Sequence, residues 1–250
     1  KPDLTEAHNN LGIVLQGLEN FKDAEECFKN SIQLNPNLLE ARVNLGTIYA
    51  DNNYGVLSYE KALFWYTQAA KNNDPAAQAR LALMYYYGQG VKKEPQTALM
   101  WMFLAHDNGF SEAGEFIDKF STSDTAKNAL SLMARYYKGE NNQENELKVY
   151  MRMLELYPKD PSILNGYAWR MTEIQSNLED ALDRSIIAIK LSSDDLEQKG
   201  NVLDTKAEIL WLLNRYDEAI STINVAIEIN PESDYFKGQR TKFQNSKNQE

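Results

Sequence analysis

From Leu4 to Leu15, and again from Phe21 to Leu34, apolar side chains return at intervals of three or four residues with polar ones between them. That is the spacing of a helix with one buried face. Asn35-Pro36 closes the second run, because proline lacks an amide proton and its ring crowds the preceding turn. The pattern therefore predicts a helical hairpin with landmarks Leu11-Gly12, Leu15, Ala24, Phe28 and Pro36. Gly12 and Ala24 are small enough to let two helices approach closely, and Leu11, Leu15 and Phe28 are expected to fill the space beside them.

The hairpin recurs. A second Leu-Gly pair, Leu45-Gly46, follows the first by 34 residues. The next two units carry a longer interhelix segment: Leu15 to Ala24 is nine residues, whereas Tyr49 to Ala62 and Tyr85 to Ala98 are thirteen. The added residues fall around Asp51 to Ser58 in the first of them. Asp74-Pro75 and Asp160-Pro161 place a capping side chain ahead of proline at a helix start. Gly88, Gly90 and Gly109 suit turns that need positive φ.

A fourth unit begins at Ser111 to Phe120 but is interrupted by Ser121-Thr122-Ser123-Asp124 where its second helix should start. A short unpaired helix is expected there, with a change of frame between residues 110 and 125. From Thr125 the 34-residue type of spacing returns through Met133-Ala134, Tyr137, Glu146, Tyr150 and Pro158, with Glu146 standing where a small residue is usual. Two more units follow. One has Tyr167-Ala168, Trp169, Ala181 and Ala188 as its expected core; the other has Ala207, Leu210, Ala219, Ile223, Ala226 and Pro231. Glu232 to about Gln244 reads as a polar closing helix of the kind an array needs against solvent.

Leu-Gly, aromatic, Ala, aromatic and Pro at these intervals resemble the tetratricopeptide repeat. In the middle of the chain, about residues 37–120, the YxxGxGV run of Tyr85, Gly88, Gly90 and Val91, with Ala62-Leu63-Phe64-Trp65 and Ala98-Leu99-Met100-Trp101, resembles the Sel-one-like repeat, a relative of it. The resemblance implies an all-α fold, an alpha-alpha superhelix or solenoid of about six hairpins. The expected division is a repeat block at 1–122 and a second block at 123–250 ending in a capping helix.

The ingredients of catalysis are missing from the sequence. No phosphate-loop, nucleophile-elbow, HExxH or CxxC motif occurs. Gly88-Gln89-Gly90 follows no strand and reads as a turn. Cys27 is the sole cysteine and excludes an internal disulfide, and neither His8 nor His106 stands at zinc spacing from it. The acid pairs Glu25-Glu26, Glu179-Asp180 and Asp194-Asp195 fall on polar faces or loops. No cofactor is called for. A net charge of −10 repels phosphate backbones, so nucleic acid is not an expected partner, whereas basic or neutral protein segments are. The longest apolar run, Ala98 to Ala105, is too short to span a membrane. Lys1 opens the chain inside a repeat, as expected of a piece of a longer protein.

In tetratricopeptide repeats the first helix of each hairpin lines the concave surface. The resemblance therefore places Glu6, Asn9, Asn10, Glu40, Asn44 and Arg80 on a partner-binding face, with Tyr86 or Tyr87 as an aromatic anchor. Asparagine both donates and accepts, which lets a row of them read a peptide backbone. Asn9 stands where chaperone-binding relatives carry a carboxylate-clamping lysine, which argues against that clamp. After the frame change the equivalents of Asn10 and Asn44 are Leu132, Gly166 and Thr205, so the row is not expected to continue. The resulting expectation is a non-enzymatic interaction scaffold. The alternatives are a regulatory or substrate-presenting portion of a larger enzyme, and a solenoid that associates with itself as a homo-oligomer.

Overall fold

The computed structural model describes residues 2–51, 57–192 and 194–248, and the described residues form fourteen helices and no strand. Most of the insertion expected at Asp51 to Ser58 lies outside them. The chain divides into two compact units, Lys1–Glu146 and Leu147–Glu250.

The first unit contains α1 (Pro2–Gly17), α2 (Phe21–Leu34), α3 (Leu39–Ala50), α4 (Tyr59–Ala70), α5 (Pro75–Tyr87), α6 (Pro95–Asp107), α7 (Ala113–Phe120) and α8 (Ser123–Gly139). Helices α1 and α2, α3 and α4, and α5 and α6 pack as hairpins, each stacked on the next through α2 against α3 and α4 against α5. The glycines set the helix separation. A β-carbon on Gly12 would lie 2.6 Å from the Phe28 ring, and one on Gly46 would lie 2.7 Å from the Tyr66 ring, both closer than carbon atoms can approach. Leu45 is fully buried, but its counterpart Leu11 is 48% exposed, contrary to the expectation that it fills the core. The reason is one of coverage. Leu45 is enclosed between neighbouring helices, while Leu4, Leu11, Val14 and Leu18 run along a side of α1 on which no described helix packs.

Helix α6 is buried all round, with every residue from Ala98 to Ala105 at most 7% exposed. An apolar run of this length without a polar face requires cover on several sides. It is covered by α5, α7 and α8. The interruption in the sequence has a local cause. Thr122 accepts from the Thr125 amide while the Thr125 hydroxyl accepts from the Thr122 amide at 2.8 Å, a reciprocal cap that starts α8. Helix α7 is thus left eight residues long.

Helix α9 (Gln143–Leu156) crosses the division between the units, and within it Glu146 is buried. The second unit continues with α10 (Pro161–Ile174), α11 (Leu178–Leu191), α12 (Leu196–Leu212), α13 (Tyr216–Ile229) and α14 (Asp234–Lys247). Helices α10 and α11, and α12 and α13, form hairpins, and α14 packs on α13. Asp160 caps α10 by accepting from Ser162 and Ile163 at 2.9 and 3.1 Å. Tyr167, Ala168, Ala181 and Ala188 are buried, but Trp169 is 36% exposed, because three consecutive helical residues cannot share one face. Helix α14 turns Phe236 and Phe243 inward and is otherwise largely polar.

Candidate functional site

The side chains assigned to the partner-binding face lie on α1, α3 and α5, the first helices of three successive hairpins. Glu6, Asn10, Glu40 and Arg80 are exposed. Glu6, Asn10 and Glu40 make no hydrogen bond or ion pair among the described residues, so their hydrogen-bonding capacity faces solvent. The Arg80 guanidinium sits 5.9 Å from the Tyr66 ring centre, which orients it along α4. Asn9 is only 2% exposed, and its Oδ1 accepts from Asn44 Nδ2 at 3.2 Å. The two asparagines are brought together and partly satisfy each other.

Tyr86 and Tyr87 diverge. Tyr86 packs against Phe116 and Phe120 of α7, with ring centres 5.3 and 4.7 Å away, while Tyr87 is 64% exposed at the edge of that cluster. Of the two rings named in the sequence, Tyr87 is the one open to solvent, and Tyr86 packs beneath it.

The second unit holds a recess that the sequence reading passed over. A polar cavity of about 370 Å³ opens between α10 and α12, lined by Ser162, Asn165, Gly166, Asp195, Gln198 and Asn201 among others. Gln198 spans it, donating to the Ser162 hydroxyl at 2.7 Å and accepting from the Ser192 hydroxyl at 3.2 Å. Asn165 Oδ1 is buried with no hydrogen-bond partner. Asn165 precedes Ala168 by three residues, as Asn9 precedes Gly12. The signal was therefore present one position before Gly166.

About one and two turns of α12 beyond Asn201, Asp204 and Glu208 face α14. The Tyr235 hydroxyl donates to Asp204 Oδ2 at 3.2 Å, while Lys242 pairs with Glu208 at 2.6 Å. Burial pushes the Asp204 carboxyl up to about 6, with the Glu208 charge adding to the rise and the Tyr235 bond and Lys242 opposing it.

The remaining candidates for chemistry have structural occupations. Partial burial raises the Glu25 carboxyl, but bonds from Lys29 and from Tyr49 at 2.5 Å outweigh it and hold the group below its usual range. Asp180 is likewise raised by burial and held low overall by Arg184 at 2.8 Å. Asp195 caps α12 through the Gln198 amide. Cys27 is buried, and desolvation together with Glu26 and Asp23 raises its thiol away from nucleophilic character. Among the described residues no group of three histidine, cysteine or acidic side chains could hold a metal ion. No helix among them is long and apolar enough to cross a membrane.

Residues 5–38 and 201–233 match the tetratricopeptide repeat family, and residues 39–74 and 75–110 match the Sel1 repeat family. Over 240 residues the chain is 23% identical to the human protein O-mannosyl-transferase TMTC1, covering 94% of this chain and 24% of that protein. The chain thus spans about a quarter of the length of that curated relative. Among solved structures it is similar to YrrB, described as a TPR protein with an unusual peptide-binding site, at 14% identity and a TM-score of 0.47 over 87% of this chain and 99% of that one. It is also similar to the TPR2AB domain of yeast Sti1 in its pHSP90 complex, at 14% identity and a TM-score of 0.42, covering 98% and 100%. A Sel1 repeat protein from Oxalobacter formigenes is 16% identical with a TM-score of 0.38, covering 89% and 84%.

Proposed function

We infer that this chain, a tetratricopeptide-repeat protein with Sel1 repeats in its middle, is a protein-interaction scaffold whose first helices receive an extended segment of a partner. The observation that carries the reading is the polar recess between the first helices α10 and α12. Its polar side chains come from two successive repeats, and Asn165 Oδ1 lacks a donor, at a cost of about 1–3 kcal/mol that a small rotation of the amide toward a peptide N–H would relieve. In the first unit, Glu6, Asn10, Glu40, Asn44 and Arg80 extend the same kind of surface, and Tyr87 offers an exposed aromatic ring. The acidic balance of the chain favours basic or neutral segments.

The test is a peptide array probed with the chain, followed by affinity measurements on the peptides it retains. Asn165→Ala/Asn201→Ala and Asn10→Ala/Asn44→Ala are each compared with wild type at unchanged helicity. A loss of about tenfold or more in either pair places the segment in that unit. Unchanged affinity in both overturns the reading.

A second reading has its own support. The similarity to TMTC1 extends through nearly all of this chain but a minor part of that transferase. On that footing the repeats serve as the recruiting portion of a longer protein that contains an enzyme. Adding the repeats in trans to such a parent lacking them, and measuring turnover on protein against small-molecule acceptors, distinguishes recruitment from an independent scaffold.

A further inference from the structure

A cleft of about 530 Å³ lies between the segment leading into α6 and the face of α8, lined by Lys92, Lys93, Glu94, Pro95, Gln96, Thr97, and by Asn128, Ser131, Leu132 and Arg135. Its charge runs against that of the chain. Over the whole sequence acidic residues outnumber basic ones by 36 to 26, yet the cleft gathers three cations against Glu94 alone. Lys92, Lys93 and Arg135 are exposed, and none has a carboxylate partner among the described residues. Lys93 is held over the Tyr86 ring at 5.4 Å, which fixes its stem without neutralising its charge. The Glu94 carboxylate is engaged by the Thr97 hydroxyl at 3.1 Å. Three converging cations without internal counterions form a local positive field within an otherwise acidic molecule.

We propose that this cleft docks a short acidic segment of a partner protein, its carboxylates meeting Lys92, Lys93 and Arg135. A peptide fits the remaining lining better than a bare anion. The Ser131 hydroxyl donates to the Lys127 carbonyl at 2.9 Å and so presents lone pairs to the cleft, and Asn128 presents an amide. Those acceptors need N–H donors, which a peptide backbone supplies and a phosphate ion does not. The start of α6 adds main-chain donors, since Glu94 makes no side-chain cap and the first turn carries no acid. The inference goes beyond the scaffold reading: the cleft shares no lining residue with the faces assigned above and takes ligands of opposite charge, so either assignment can fail alone.

The experiment is fluorescence anisotropy with labelled hexaglutamate, hexaserine and hexalysine peptides, at low salt and at about 0.15 M ionic strength. The expected result is saturable binding of hexaglutamate only, weakened by salt. Lys92→Gln/Lys93→Gln/Arg135→Gln should bind it about tenfold more weakly, while a control triple on other surface lysines, Lys22→Gln/Lys71→Gln/Lys159→Gln, should match wild type. All substituted positions are on the surface, and matching circular dichroism spectra confirm folding. The proposal is overturned if hexaglutamate does not saturate, if both triples weaken it equally, or if inorganic phosphate binds in the cleft while hexaglutamate does not.

Discussion

Asn9 of α1 and Asn165 of α10 occupy the same place in their hairpins, yet one is satisfied and the other is not. In the first unit Asn44 reaches back from the next repeat and donates to Asn9, and the flanking glycines seat aromatic rings at 2.6 and 2.7 Å. In the second unit Asn165 Oδ1 has no partner, Ala168 already stands at the position of Gly12, and a β-carbon on Gly166, the counterpart of Asn10, would meet Tyr150 at an ordinary 3.7 Å. Asp204, also in the second unit, is buried with one oxygen unpaired. The first unit has such atoms too, since His8 Nδ1 and Arg42 Nε are buried without a partner, so the difference lies at the asparagine position, satisfied in the first unit and open in the second. Unsatisfied polar groups at a recess are what a binding surface costs a fold when its ligand is away.

The largest expected effect comes from Asp204. Its carboxyl titrates at about 6 in the folded chain against 3.8 for the unsupported group, so the folded state holds the extra proton between those values. A raised carboxyl contributes stability that is complete below about pH 4 and lost as pH rises through about 6. Asp204→Asn keeps an acceptor for Tyr235 and removes the charge. It should stabilise the second unit by up to about 3 kcal/mol at neutral pH and by nearly nothing below about pH 4. Hydrogen exchange in α12 and α13 across that range reads the difference locally, which matters because repeat arrays need not unfold as one step. A pH-independent difference from wild type would show that Asp204 is solvated, and the contrast between the units would lose its strongest member.

Next in size is a pair of glycine substitutions. Gly46→Ala drives a methyl into the Tyr66 ring, which is fully enclosed and bonded to Thr47 at 3.1 Å, so the helices must separate at a cost of about 1–3 kcal/mol. Gly166→Ala meets no such obstacle and gains helix propensity, so it should be neutral or stabilising by about 0.5–1 kcal/mol. Thermal unfolding of the two variants gives opposite signs if the seats differ as described. Equal destabilisation would mean that Gly166 faces Tyr150 as tightly as Gly46 faces Tyr66.

What the sequence made legible follows from how local each feature is. The hairpins, the caps at Asp74 and Asp160, the turn glycines Gly88, Gly90 and Gly109 with φ of 75, 68 and 101°, and the short helix before Thr122 all depend on residues a few positions apart. Composition and period suffice for those. The pairing of Asn44 with Asn9 joins residues 35 apart, and depends on the rotation of each helix about its axis, which a one-residue error in register misassigns. The same error hid Asn165 behind Gly166. The exposure of Leu11 and Trp169 depends on which neighbours cover a face, and the basic cleft joins an interhelix segment to α8 across the frame change. None of these is a property of a single hairpin, where the repeat pattern speaks most clearly.

The smallest expected effect is the most direct test of the contrast, and it uses the two equivalent asparagines. Asn9→Ala removes the acceptor for Asn44 Nδ2 and leaves that amide half-buried, so the first unit should lose about 1 kcal/mol. Asn165→Ala removes an acceptor that has no donor in the protein, so the second unit should lose nothing and gain up to about 1–3 kcal/mol, the cost of the unpaired oxygen, less the packing of the lost side chain. The ligand-bound comparison should reverse this order. A peptide seated between α10 and α12 stabilises by its occupancy, and that increment should shrink in Asn165→Ala while staying whole in Asn9→Ala, whose side chain is already spoken for. Denaturation of both variants with and without a retained peptide gives the four values needed. Should Asn165→Ala destabilise the free chain as much as Asn9→Ala does, its amide is engaged internally, and the recess is a structural seam between repeats rather than a place prepared for a partner.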